Sequence, residues 1–155
     1  MTEYINGVKS GAGGDSGEGH ITILTHSADS VTAGTWAVSA GSYGLATCFG
    51  NNGSQNDALI YKVYLAKGTY KVKAIGKTSN SSGIVTLSLD GGTTPLTTID
   101  MYSNPDVNNA IVNGAASFTI SSSGIVDLTT IIKAKHASSS GYYQRIGAYI
   151  LYRTA

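Results

Sequence analysis

Ala58-Leu59-Ile60-Tyr61-Lys62-Val63-Tyr64-Leu65-Ala66-Lys67-Gly68-Thr69-Tyr70-Lys71-Val72-Lys73-Ala74-Ile75-Gly76-Lys77 reads as two strands and the turn between them. In the second run Tyr70, Val72 and Ala74 alternate with Lys71, Lys73 and Ile75. A period of two puts one set on a packed face and leaves the other mostly to water, as a strand requires. Ala66-Lys67-Gly68 supplies the turn, with glycine free to take backbone angles that other residues resist. Two strands alone are barely stable in water, so a hairpin of this kind calls for further strands.

The same pattern extends in both directions. Upstream lie apolar-rich runs at 21–24 and 35–40, then a wholly polar loop from Gly50 to Asp57. Downstream, 84–89 enters the turn Asp90-Gly91-Gly92, and 96–101 follows Pro95, a residue suited to a strand start. Ser103-Asn104-Pro105-Asp106 leads to 110–112 and 116–120. In 125–135 the residues Val126, Leu128, Thr130, Ile132 and Ala134 share one face, and 142–152 closes the chain after a loop at 136–141. Ser-Ser-Gly recurs at 81–83, 122–124 and 139–141, a small-residue turn opening an apolar run each time. Its unequal spacing marks shared turn chemistry and no structural repeat. No window of eleven or more residues carries a helical stripe. The spacing therefore predicts an all-β, antiparallel β-sandwich of about eight to ten strands.

Composition points the same way. The 155 residues include 20 Gly, 19 Ser and 17 Thr, while Glu occurs only at Glu3 and Glu18. Helix formers are scarce, whereas residues that suit pleated surfaces and turns abound. Apolar residues make up 41%, ordinary for a folded globule, and no run approaches the roughly 20 apolar residues of a membrane helix. The start, Met1 to Gly7, lacks a basic segment followed by an apolar one, so the expectation is a complete, cytoplasmically made chain without a secretory signal. Cys48 is alone, which rules out an internal disulfide and predicts a buried thiol.

Residues 1–19 form a glycine-rich arm, with six glycines between Asn6 and Gly19, ahead of a sandwich domain at 20–155. Such an arm orders only when something ties it down, and a neighbouring chain is the expected partner. Charge is uneven: residues 1–60 carry Glu3, Asp15, Glu18, Asp29 and Asp57 against Lys9, whereas nine of the ten bases lie in 61–155 against four acids. Oppositely charged ends can draw subunits together, although lysines on solvent-facing strand positions explain the same pattern.

Groups able to do chemistry are few. His20 and His26 flank one candidate strand, and with Asp15, Glu18 or Asp29 they make the best two-histidine metal arrangement on offer; surface histidines are the simpler reading. Asp15-Ser16-Gly17-Glu18 and the 51–57 loop hold oxygens but match no calcium-loop spacing. No nucleophile elbow, dinucleotide loop or P-loop is present. The expectation is a protein that is not an enzyme, with no catalytic residue, no metal and no cofactor. Interleaved Tyr and Lys at 61–64 and 70–73 form too small a patch on a near-neutral chain to indicate nucleic acid. Ten tyrosines and Trp36 remain, and the ligand or interface candidates are Trp36, Tyr43, Tyr142, Tyr143 and Arg145.

The hairpin Tyr61 to Val72, with its x-x-Gly-Thr-Tyr turn, resembles that of jelly-roll domains found in carbohydrate-binding modules and in tailed-phage proteins. The ending, Ala137 to Ile146 and Ile150 to Arg153, is similar to the last strands of phage capsid-decoration, head-fibre and tail-fibre proteins. Over residues 58–155 the resemblance implies a jelly roll, often trimeric, docked on a virion through an N-terminal segment. It implies a non-enzymatic virion structural protein of a bacteriophage, assembled with other virion proteins and in contact with a host surface glycan. The alternative it leaves open is a carbohydrate-binding β-sandwich module.

Overall fold

The computed structural model describes residues 3–5, 8–10, 19–40 and 47–155. Its strands, numbered in chain order, form two sheets. The first holds β1 (Glu3–Ile5), β2 (Val8–Ser10), β4 (Ser30–Ala33), β7 (Ala58–Leu65), β9 (Gly83–Ser88), β10 (Pro95–Asp100) and β13 (Gly124–Lys135). The second holds β3 (His20–Leu24), β5 (Trp36–Ala40), β6 (Thr47–Asn51), β8 (Gly68–Thr78), β11 (Val107–Asn113), β12 (Phe118–Ile120) and β14 (Arg145–Arg153). The order is β1-β2-β7-β13-β9-β10 in one and β11-β8-β14-β6-β5 in the other, with β4 added to β7, β12 to β8 and β3 to β14. Among the described strand pairings all are antiparallel except β2 with β7; the isolated bridges Ser79–Tyr102 and Ser82–Tyr143 are also parallel. This is an antiparallel sandwich of jelly-roll type, with more strands than the spacing predicts because short edge pieces such as β1, β2 and β4 count separately.

The core lies between the sheets and is set by the period of two. Leu59, Tyr61, Val63 and Leu65 of β7 face Tyr70, Val72 and Ala74 of β8, with Leu87, Ile99, Leu128, Tyr149 and Leu151 packed among them, all buried. One inward row departs from the sequence pattern. A bulge between Ile132 and Ala134 turns Ala134 out to solvent, so it leaves the face that Leu128 and Ile132 share. Of the 1–19 arm, β1 and β2 pair with each other and β2 lies along β7; residues 11–18 are outside those described.

The chain crosses between sheets at the 3-10 turn Thr25–Ser27, after β3 has paired with β14 and before β4 pairs with β7. Thr25 is fully buried; its hydroxyl donates to the Ile146 carbonyl of the second sheet, and its carbonyl accepts the Tyr61 hydroxyl of the first at 2.8 Å. Cys48, on β6, is buried as expected, and burial pushes its thiol up to about 11, an effect the nearby Arg145 charge only partly opposes. A thiol held that high is almost wholly protonated at mildly alkaline pH, and only thiolate reacts. Native protein at mildly alkaline pH is therefore expected to alkylate more slowly than denatured chain by roughly one to two orders of magnitude, measured by mass spectrometry over time.

Candidate functional site

Five connections meet at one end of the sandwich, as the register shows. Ala33 lies opposite Ala58, Trp36 opposite Asn51, Gly83 opposite Lys135, Val107 opposite Thr78 and Arg145 opposite Gly50. The residues between these strand ends, 34–35, 52–57, 79–82, 101–106 and 136–144, consequently share a surface.

Buried polar groups hold these loops in one arrangement. Asn51 donates from Nδ2 to Asp57 Oδ2 at 2.8 Å and to the Tyr142 carbonyl at 3.1 Å, and its Oδ1 accepts the Gln144 amide at 2.8 Å. Two of the three Ser-Ser-Gly turns interlock here. Ser139 Oγ donates to the Ser82 carbonyl at 2.8 Å, the Tyr143 amide donates to the Ser81 carbonyl, and the Gly83 amide donates to the Tyr143 carbonyl. The third, at 122–124, opens β13 at the far end, next to the start of β8. Lys77 pairs with Asp106 at 2.9 Å, and that hydrogen bond holds the carboxyl below its usual range.

Onto this frame the loops place half-exposed rings, each with a partner. Tyr102 and His136 stack nearly parallel, 4.3 Å between centroids. Lys135 Nζ lies over the Tyr142 ring at 5.3 Å, and the Arg145 guanidinium over Tyr143 at 4.6 Å. Tyr143 is also pressed against Gly53: a Cβ there would sit 2.7 Å from its Cζ, and the φ of +84° independently favours glycine. Tyr143 thus wedges two loops together; Tyr102, His136 and Tyr142 are half-exposed as it is, and Tyr142 also packs against the core.

The sequence candidates separate in this geometry. Tyr142, Tyr143 and Arg145 come together as their proximity suggests, although the two tyrosines lie in the loop before β14, not on the closing strand. Trp36 sits at the same end but packs on Phe49, 5.5 Å between ring centroids, and gives its indole N–H to the Ala33 carbonyl. Tyr43 lies outside the described residues. Tyr102, His136 and Lys135 join them without a sequence signal: Tyr102 is held by a bridge to Ser79, a contact between residues far apart in the chain.

Metal-binding geometry does not emerge: among the described residues no group of three or more His, Cys, Asp or Glu gathers. The Asp57 carboxylate instead accepts the Asn51 amide and the Ser54 backbone N–H. His20 is exposed on β3, and His26 lies off the strand in the 3-10 turn. No helix among the described residues is long and apolar enough to cross a membrane.

By sequence, no family model and no curated protein matches the chain. Solved structures share its fold. A xanthan lyase from Paenibacillus matches with TM-score 0.66 and 21% identity, over 86% of this chain but only 13% of the lyase chain. A Clostridium stercorarium module, CsCBM6-3, solved in complex with cellobiose, matches with TM-score 0.66 and 15% identity over 86% of this chain and 93% of that one. The carbohydrate-binding module CBM6cm-2 of Cellvibrio mixtus lichenase 5A, in complex with cellotriose, gives TM-score 0.65 and 15% identity over 86% and 97%.

These comparisons overturn the resemblance to tailed-phage virion proteins: apart from the lyase, the neighbours are carbohydrate-binding modules of families 6 and 36. The Gly-Thr-Tyr hairpin and the closing strand belong to a fold that both groups use, so they mark the fold and not the family. The reading as a bacteriophage structural protein, whether capsid decoration or tail fibre, falls with the resemblance. So do the virion partners and the trimer that it carried.

Proposed function

We propose that the chain is a non-catalytic carbohydrate-binding module that takes a glycan at the loop end, on Tyr102, His136 and Tyr142. The supporting observation is the set of half-exposed rings fixed by buried hydrogen bonds at one end of the sandwich. A sugar ring presents C–H faces that pack on an aromatic ring and hydroxyls that need polar partners. Asn52, Asn80 and Ser138 stand exposed in the same loops and supply amides and a hydroxyl. The acids of this end serve structure, since Asp57 takes the Asn51 amide and Asp106 takes Lys77, which suits binding better than acid–base work. The fold shared with modules solved in complex with cellobiose and cellotriose favours the same reading.

The test is a glycan array probed with the full chain, with cellotriose as the first soluble ligand in calorimetry. Tyr102→Ala and Tyr142→Ala are expected to weaken the affinity of whichever glycan binds by roughly tenfold or more at unchanged fold. An array on which no glycan is retained, or tyrosine variants that bind as tightly as the parent, would overturn the reading.

A further inference from the structure

The outward face of the second sheet presents a different chemistry. Its seven strands carry Lys71, Lys73, Lys77, Arg145 and Arg153 and no Asp or Glu; the described acids stand in the first sheet or in loops. Lys77 is drawn to Asp106 and Arg145 belongs to the loop end, but neither Lys71 nor Lys73 meets a carboxylate among the described residues. Both point outward from β8, because Tyr70, Val72 and Ala74 point in, and they stand roughly 7 Å apart along the strand. The Tyr-Lys-Val-Lys segment that the loop end leaves unused is thus split: its tyrosine enters the core and its lysines face solvent.

Between these lysines and the next strand stands Tyr152 of β14, directly across from Lys71, with Lys73 Nζ 5.3 Å from its ring centroid. Lys71 and Tyr152 border a hollow of about 290 Å3 closed on the other side by Asn113 and the 114–117 turn. That wall is rigid. The Gly114 amide donates to the Val72 carbonyl at 2.8 Å, Ala115 to the Thr98 carbonyl and Ala116 to Thr97 Oγ1, so the turn is pinned to both sheets. A Cβ at Gly114 would come within 2.8 Å of Val72 Cγ1, which is why the turn can lie so close to β8. The hollow is therefore lined by one cation, Lys71, one aromatic ring, one amide and a fixed wall, with the Lys73 ammonium beside it at the Tyr152 ring, in a volume at the small end for ligand pockets.

We propose that this hollow is a second glycan site, selective for a sugar unit bearing a carboxylate, as in a uronic-acid polymer. The carboxylate meets the Lys71 ammonium in the hollow with the Lys73 charge next to it, the sugar packs against the part of Tyr152 that lines the hollow, and Asn113 takes a hydroxyl. Choosing a glycan over another polyanion rests on reading the chain as carbohydrate-binding; the charge preference rests on the acid-free sheet alone.

The experiment titrates the full chain with tetragalacturonate and with its methyl ester, at low and high salt, for the parent and the double variant K71Q/K73Q. The acidic oligomer is expected to bind, to lose affinity as salt screens the lysines, and to exceed the ester at least tenfold; the double variant removes that preference. Equal binding of acid and ester, or acid binding that survives K71Q/K73Q, overturns the proposal. So does a short single-stranded DNA that binds as tightly as the uronate, because the site would then read charge without the sugar. If no neutral glycan binds at the loop end but the uronate preference holds and is lost with the lysines, the second site stands and only the first reading fails.

Discussion

Tyr61→Ala is expected to lower the free energy of unfolding by about 3–5 kcal/mol, and Tyr61→Phe by about 1–2 kcal/mol. The ring is fully buried in the middle of β7, so its removal leaves a cavity that the surrounding strands cannot close. Phenylalanine keeps the ring but strips the Thr25 carbonyl of its donor, and Thr25 is where the chain passes from one sheet to the other. The difference between the two variants separates packing from the hydrogen bond that anchors the crossover. Urea denaturation reads both, and equal losses for the two would refute the division. The same hydroxyl responds to pH. Burial holds both Tyr61 and Tyr149 far above the ordinary tyrosine value of 10.0, so the folded state keeps these protons and the unfolded state releases them. The stabilisation is complete below that value and drains away as pH rises past it. Phenolate absorbance from these two rings is accordingly expected to appear only together with alkaline unfolding.

The elements legible in the sequence are those with one wet and one dry face. β7 and β8 sit inside their sheets and alternate cleanly, so their residues declare both strand and orientation. β4 pairs only along β7 and has no buried residue, so it offers no apolar period to read. β6 hides for the opposite reason: its last residue, Asn51, is buried as a polar staple, and the sequence places it in a solvent loop. At the site, Tyr142, Tyr143 and Arg145 are legible because they are neighbours in the chain. Tyr102 and His136 are not, since 33 intervening residues must fold before the rings stack. Trp36 is legible as a lone aromatic, and β5 brings it to the same end, half-exposed and packed on Phe49.

Asn51→Leu joins the frame to the proposed function, and its expected cost is about 3–6 kcal/mol. Leucine nearly fills the same volume, so little of the loss comes from a cavity. It comes from partners that lose a hydrogen bond in a place closed to water: the Tyr142 carbonyl and the Gln144 backbone amide lose the Asn51 contact, and the Asp57 carboxylate keeps only the Ser54 N–H of its two donors. Asn51 is 8% exposed, Asp57 3% and Gln144 0%, so water reaches these groups too poorly to replace the amide. Asn51→Asp tests the same point by charge. It keeps an acceptor for Gln144 but sets a second carboxylate beside Asp57, and two carboxylates that close cannot both ionise cheaply. This variant is therefore expected to be destabilised most at neutral pH and to recover part of the loss in acid, where the pair holds a proton. Because Asn51 also fixes Tyr142, both substitutions are expected to weaken glycan binding under conditions where the protein is still folded. Denaturation curves and glycan titrations on the same samples decide it. A variant that loses stability but keeps full affinity would show that the ring platform does not depend on this staple.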